Sequence, residues 1–461
     1  MTLDRDRALA IVDAALEASD ADETEVIVGG GRMALTRFAA NHVHQHVDED
    51  RLVVRVRGAW TVGGDTRVAA ASTERLDADG LREVIDRARS LAAHADPIDD
   101  WRGMAVPEFF ASSRPPDGEP WDATTADTGP AWRVNEVARC ILPCRRAGDL
   151  TASGLLRITD GTLGDYGDPG IVAIGNTHGI RQHHRPTTVD MMCTVTTDSG
   201  ASGWVTAWAN RRSAIDMDAL AQRAIERARA AESPRTVDAG SARVLLEPPA
   251  VAALLGFALP GFSRRAVEEQ RSPLTGHVGE RIASERVQLT ANPGHRALLI
   301  RPFDGEGVPS RPLSLLQDGV VGDLAIARGD EDLDWTVSGY GPRQPSGADA
   351  VPTGAVLDAG GHGTVDDLVA RTPSARLIAR LWYNRLVDGR AARVTGMTRD
   401  GFYQLVDGRI DHALVNLRYN VRVFDVLNAI VDASEPVRVG SMYVPALVVD
   451  GFQFTGATVH Q

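Results

Sequence analysis

"TEVIVGGGRMALTRFAANHVHQHVDEDRLVVRVRGAW", residues 24–60, decides how this chain is read. β-Branched residues recur at short intervals and no helical stripe runs through the segment, so the pattern predicts strands. "VIVGGGR" has the glycines of a dinucleotide loop, but strand texture resumes at once with "MALTRF", where such a loop needs a helix. A glycine hairpin is therefore the expected structure. Further on, His42, His44 and His46 alternate with other residues and are followed by Asp48, Glu49 and Asp50. In a regular strand the three imidazoles would share one face. They would span roughly 13 Å, too far for a single ion with bonds of ~2 Å. The expected reading is a solvated or interface strand face, with no metal ligated.

Working outward, residues 3–19 place Leu3, Ala10 and Ala14 on a helical face, and "DADGLREVIDRARSLAAHA" predicts a second helix with acids first and arginines later, as the helix dipole favours. Residues 97–131 are rich in Pro, Asp and Trp and predict an extended loop. "DLTASGLLRITDG" and "GIVAIGNTHGIRQHH" suggest a hairpin, "TTVDMMCTVTTDSGASGWVTAWAN" a strand pair, and "DMDALAQRAIERARAAE" a third helix before the linker "SPRTVDAG". Beyond Ser241, "ARVLLEPPAVAALLGFAL" predicts a strand and then a helix that begins at prolines. Short strands separated by Gly, Pro and Asp follow, among them "VQLTANPG", "RALLIRPFDGEGVPS" and "RVTGMTRDGFYQLVDGRI". The fold class expected is α+β: an N-terminal mixed domain over residues 1–235 and a β-rich barrel- or sandwich-like domain over 241–461.

Composition narrows the function. The chain has 461 residues, 43 % hydrophobic and 24 % charged, enough for two sizeable cores. A net charge of −13 without a basic stripe argues against a nucleic-acid partner. No window approaches eighteen uninterrupted apolar residues, so no membrane span is expected. The acidic amphipathic N-terminus does not resemble a signal peptide, and three cysteines (Cys140, Cys144, Cys193) cannot build a disulfide framework; both point to the cytoplasm. All 49 basic side chains are arginine. The lack of lysine removes Schiff-base catalysis and the phosphate-loop lysine.

Other candidate sites weaken on inspection. "TDGTLGDYGDPG" lacks EF-hand spacing and its closing Glu, and is expected to be a long hairpin loop. Cys140 and Cys144 sit on an expected helix with no matching pair elsewhere. No GxSxG nucleophile elbow occurs. His183 and His184 adjoin in a strand and would face opposite ways.

Taken together, the segments resemble the TldD/PmbA family over nearly the whole chain. The resemblance rests on "TRFAANHVHQ", with Arg37, Asn41 and Gln45; on "IGNTHG", with Asn176; on "SPLTGHVGERIASERVQLTANP" followed by "RPFDGEGVPSRPLSLLQDGVV", with Gly276, Gly279, Asp304, Glu306 and Gly307; and on "TGMTRDGFYQLVDGRI". Each piece alone is weak, while their order and spacing are specific. The resemblance makes Arg37, Asn41, Gln45, Asn176, Asp304 and Glu306 the candidates for a substrate cavity or interface.

The family comes in two forms. TldD-type chains carry HExxxH on the helix opening the second domain and a later cysteine, which together hold zinc; TldE/PmbA-type chains lack them and pair with TldD as a heterodimeric peptidase. Here the corresponding helix reads "AVAALLGFALPGFS", with Gly256, Phe257, Pro260 and Gly261 near the motif's slots, and no cysteine follows Cys193. The resemblance therefore implies a subunit with no catalytic residue, metal or cofactor of its own. Zinc would reside in a TldD-like partner, and the pair would process an unfolded or modified peptide, or a small amide in a natural-product pathway. The alternatives are a stand-alone homodimeric binding protein without hydrolytic activity, and an enzyme with non-zinc chemistry of its own.

Overall fold

The structure, a computed structural model, describes residues 3–99, 101–107, 118–162, 170–330, 337–343 and 348–457. Strand β1 (Glu23–Ala39) and strand β2 (His42–Val62) form a long antiparallel ribbon that continues into β3 (Asp65–Thr73). On the other side of β1 lie β4 (Leu150–Thr162), β7 (Thr187–Thr197) and β8 (Ser202–Ala209) in that order. The short β5 (Ala173–Asn176) also pairs with β1, and β6 (Arg181–His183) pairs with β5.

The glycine triplet is where sequence and structure part. No hairpin forms at Gly29–Gly31; β1 runs straight through, and the triplet marks where it exchanges one neighbour for another. Glu25–Val28 pair with β5, whereas Gly30–Phe38 pair with β4. Gly30 and Gly31 have φ of +122° and +144°, and a Cβ on Gly31 would lie 2.0 Å from the Asp160 carbonyl oxygen. Side chains cannot be accommodated where strands change partner this closely. For the same reason the two segments expected to form a hairpin, β4 and β5, do not pair with each other. They share β1.

One face of this sheet is covered by helices α1 (Arg5–Ala18) and α2 (Ala78–Ala92), which bury Val12 and Val84 against Val26, Val28, Val54 and Val56. Further along the same face, the small α3 (Ala123–Ala126) leads into α4 (Pro130–Ala147). With α5 (Met217–Ala230), α4 covers Phe38, Leu156 and Met191. Residues 123–126 and 130–147 are thus helical, where an extended loop was expected up to 131. Residues 100 and 108–117 of that stretch, and 163–169 of the acidic glycine loop, lie outside the described residues.

From β9 (Gly240–Leu246) onward two further sheets assemble. One places β9 between Leu447–Ala457 and Ser374–Ile378 and ends in Leu381–Asp388; the other contains Gln288–Ala291, Leu313–Gln317 and Ala355–Asp358. Helix α6 (Pro248–Ala258), with prolines at its first turn, sits in the core between them, burying Val251, Leu254 and Leu255. This is the α+β fold with a β-rich C-terminal part that the pattern predicted. "RALLIRPFDGEGVPS", expected as a strand, is instead irregular apart from a bridge between Phe303 and Pro309. Its prolines lack the N–H a ladder needs, and its glycines weaken a strand. No helix among the described residues is long and apolar enough to cross a membrane.

Candidate functional site

The candidate residues fall at two separate places. Arg37, Asn41 and Gln45 gather at the tip of the β1–β2 ribbon. Asn41 takes φ +61° in the tight turn, donates to the Leu150 carbonyl at 2.8 Å and accepts from the Ala152 N–H at 2.7 Å. It clamps the tip onto β4. Arg37 and Gln45 are exposed cross-strand partners, joined by a long contact of 3.4 Å.

The histidines beside them do not share a face. The register shifts after Arg37, which pairs with Gln45, to Phe38, which pairs with Val43; His44 is the extra residue of a β-bulge. His46 therefore lies with Thr36, whose hydroxyl is 3.0 Å from its Nδ1, on the helix-covered side, and His42 lies opposite with Ala39. A bulge reverses the alternation on which the expectation rested. Among the described residues no three His, Cys, Asp or Glu side chains are grouped to hold a metal ion.

Asn176, Asp304 and Glu306 come together away from the tip, at a buried seam between the sheets. The uncovered face of β1, at Glu25 and Ile27, packs on the 303–308 loop: Ile27, Ile171, Ile174 and Phe303 form a small apolar cluster. Asn176 closes the turn after β5, accepting from the N–H groups of His178 (3.0 Å) and Ile180 (3.2 Å) and donating to the Ala105 carbonyl at 2.8 Å. Asp304 organises its own loop by accepting from the N–H groups of Glu306 (2.9 Å), Val308 (3.0 Å) and Gly341 (3.2 Å). Burial pushes its carboxyl up to about 7, against those three donors and with Glu306 adding to the rise.

Glu306 is held bidentately by Arg328, both contacts 2.8 Å, and Arg57 lies 3.5 Å away. Arg57 in turn meets Glu25 at 3.1 Å, and Arg343 meets Glu25 at 3.1 Å. Burial raises the Glu25 carboxyl, opposed by Arg57 and Arg343. Glu25, Arg57, Arg328 and Arg343 were not recognised from sequence. Glu25 left a trace there, an acid inside the apolar run "TEVIV"; the arginines left none, because their partners lie far away along the chain. A second buried pair, Arg227 of α5 with Glu247 at the N-cap of α6, joins the same two halves, and Tyr403 donates to the Arg227 carbonyl at 2.9 Å.

Chemically the seam is saturated. Each carboxylate is committed to guanidinium or backbone donors, an arrangement that fixes structure rather than leaving a base to act on a substrate. Helix α6 and the turn after it, "PPAVAALLGFALPGF", offer no side chain that could bind a metal or move a proton. Gly256 and Pro260 are exposed, Phe257 is half-buried and Gly261 is buried at the positions in question. A zinc ion does not fit this donor set, since zinc needs nitrogen, sulfur or carboxylate ligands. The three thiols, Cys140, Cys144 and Cys193, are free and buried in the α4–β7 core.

The fold and this seam define an α+β protein with a β-rich C-terminal part. Residues 145–232 match the PmbA/TldA metallopeptidase central domain and residues 239–456 its C-terminal domain, so the chain belongs to the PmbA/TldD family. In fold it is similar to TldE from Thermococcus kodakarensis, with a TM-score of 0.80 and 18 % identity over 97 % of this chain and 99 % of that one. It is also similar to two proteins described as candidate modulators of DNA gyrase. The one from Bacteroides thetaiotaomicron has a TM-score of 0.78 and 17 % identity over 99 % of this chain and 100 % of that one. The one from Thermotoga maritima has a TM-score of 0.74 and 17 % identity over 94 % and 96 %. No curated protein sequence matches the chain significantly.

Proposed function

We propose that this chain is a metal-free TldE/PmbA-like subunit that pairs with a TldD-like, zinc-bearing subunit. Its part is to enclose and position an unfolded or modified peptide, or a small amide in a natural-product pathway, for hydrolysis by the partner. The observation that carries this reading is helix α6. Where catalytic relatives are expected to place HExxxH, it has carbon side chains throughout, and the acid nearest to it, Glu247, is taken up by Arg227. The fold likeness to TldE supports the same choice. The division into units of residues 1–235 and 241–461, and residence in the cytoplasm, belong to the proposal as well. A positioning subunit contributes by holding the scissile bond in reach of an activated water, an effect that requires no reactive group of its own.

The test is a reconstitution. The purified chain should hold no stoichiometric zinc by elemental analysis, and should leave peptides uncut until a TldD-like subunit is added. One tightly bound zinc per chain, or chelator-resistant cleavage by this chain alone, would overturn the proposal.

A further inference from the structure

The edge of the nine-stranded sheet carries an unusual combination. Leu381–Asp388 is its last strand, and among the described residues no strand pairs with its outer side. Register irregularities and the Arg385 charge blunt this edge against strand addition, but it remains apolar. Here Tyr383, Leu386 and Val387 are 65, 47 and 56 % exposed. The same arm is basic on a chain of net charge −13: Arg385 and Arg390 are exposed and have no carboxylate partner among the described residues, and Arg393 stands directly across from Arg422. Arg422 has a carboxylate of its own in Asp425 at 3.8 Å, and Arg393 donates to the Asn420 amide oxygen at 3.5 Å, so the arginines of the arm without a side-chain partner among the described residues are Arg385 and Arg390. Beneath the arm lies an open groove of about 700 Å³, lined by Arg271, Val387, Asp388, Gly389, Arg390 and Arg393. Arg271 is satisfied locally by Glu269 and Asp349. Asp388 accepts from the N–H groups of Arg390 and Ala391.

We propose that this groove and the arm above it dock an acidic, leucine-type segment of a partner protein, carboxylates meeting Arg385, Arg390 and Arg393 and apolar side chains covering Leu386 and Val387. Charge complementarity selects this occupant. A second copy placed arm to arm would set Arg385 and Arg390 against their own counterparts. Strand addition along the whole edge is disfavoured by the irregularities between Trp382 and Arg385 and between Leu386 and Asp388, so side chains rather than backbone carry the recognition. The inference does not depend on the hydrolytic reading; the arm would serve any acidic partner.

The probe is a labelled peptide of alternating Glu and Leu, followed by fluorescence anisotropy against the intact chain at about 0.15 M salt. Its Glu–Ser and Lys–Leu counterparts should bind at least about tenfold more weakly, and added salt should weaken the Glu–Leu peptide. Arg385→Glu with Arg390→Glu should cost about tenfold or more, and Leu386→Ser with Val387→Ser likewise. Melting temperatures should stay at the wild-type value, because all four side chains are exposed. Equal binding of the Glu–Ser peptide would reduce the effect to diffuse charge and overturn the proposal, as would equal binding of the Lys–Leu peptide or no binding at all. Sedimentation showing a dimer that these substitutions dissolve would assign the surface to a second copy instead.

Discussion

Glu306→Gln removes one charge from the seam while keeping the side chain's shape. The carboxylate it replaces is 1 % exposed and receives both arms of Arg328 at 2.8 Å, with Arg57 at 3.5 Å. Arg328 and Arg57 are themselves 5 and 7 % exposed, so two guanidinium groups would remain buried facing an amide. Breaking a buried pair from one side costs about 3–5 kcal/mol. For 461 residues, at about 2.1 cal/mol/K of unfolding entropy each, 4 kcal/mol corresponds to roughly 4 °C in melting temperature. Scanning calorimetry reads this directly. Replacing both partners, Glu306→Gln with Arg328→Met, should recover part of the loss, because the uncompensated charge goes with its partner. An exposed control pair, Arg82–Asp79, should shift nothing measurable when broken. A melting temperature for Glu306→Gln within about 1 °C of wild type would refute the reasoning, since the seam would then be solvated in solution.

Three further outcomes are expected. Asn41→Ala should destabilise by about 1–3 kcal/mol in urea unfolding, through two lost backbone contacts and a left-handed φ that alanine tolerates poorly; Asn41→Gly should not relieve it, because the contacts and not the φ dominate. Replacing His42, His44 and His46 together by Gln should leave stability and any reconstituted activity near wild type, and a hundredfold loss of activity with the fold intact would show that the imidazoles act. In pH dependence, burial places Asp304 at about 7 and His184 at about 3, and their contributions oppose each other. The raised Asp304 adds stability present below its unfolded value of about 3.9 and lost as pH rises through 7, whereas the depressed His184 adds stability present above about 6.5 and lost as pH falls towards 3. Between pH 7 and 5, Asp304→Asn should therefore lose about 2 kcal/mol relative to wild type and His184→Gln should gain about as much. Parallel urea profiles for all three proteins would contradict it.

Much of the fold was legible because it is written in local periodicity. The helices Ala78–Ala92 and Met217–Ala230 show acids first and arginines last, and the prolines at Pro248 and Pro249 announce a helix start. What escaped depends on neighbours. Nothing in "VGGGR" distinguishes a hairpin from a strand that changes partners, because the deciding atom is the Asp160 carbonyl, brought near by another strand. The bulge at His44 likewise depends on pairing with β1, and it alone puts His42 and His46 on opposite faces. Of the candidate residues, the resemblance named Asn176, Asp304 and Glu306 but not the Glu25, Arg57, Arg328 and Arg343 side chains that give the seam its electrostatics.

The seam also bears on what the protein can do as a body. Gly307 takes φ +80°, and a Cβ there would lie 2.8 Å from Ile180 and 3.1 Å from Ile174, so the loop carrying Asp304 and Glu306 rests directly on the turn closed by Asn176. At another point along the interface Arg227 grips the N-cap of α6. Two buried ionic contacts of this kind resist hinge motion between the N-terminal sheet and the core that holds α6, because partial opening would part guanidinium from carboxylate before water could solvate either. A catalytic subunit with a lid would need such motion. A subunit whose proposed task is to present a partner and its substrate with one fixed wall would not, and rigidity then lowers the ordering cost of assembly. On this argument Glu306→Gln should weaken association with a TldD-like subunit even though Glu306 is buried within this chain, and unchanged association in a titration of the two subunits would separate the seam's structural role from assembly.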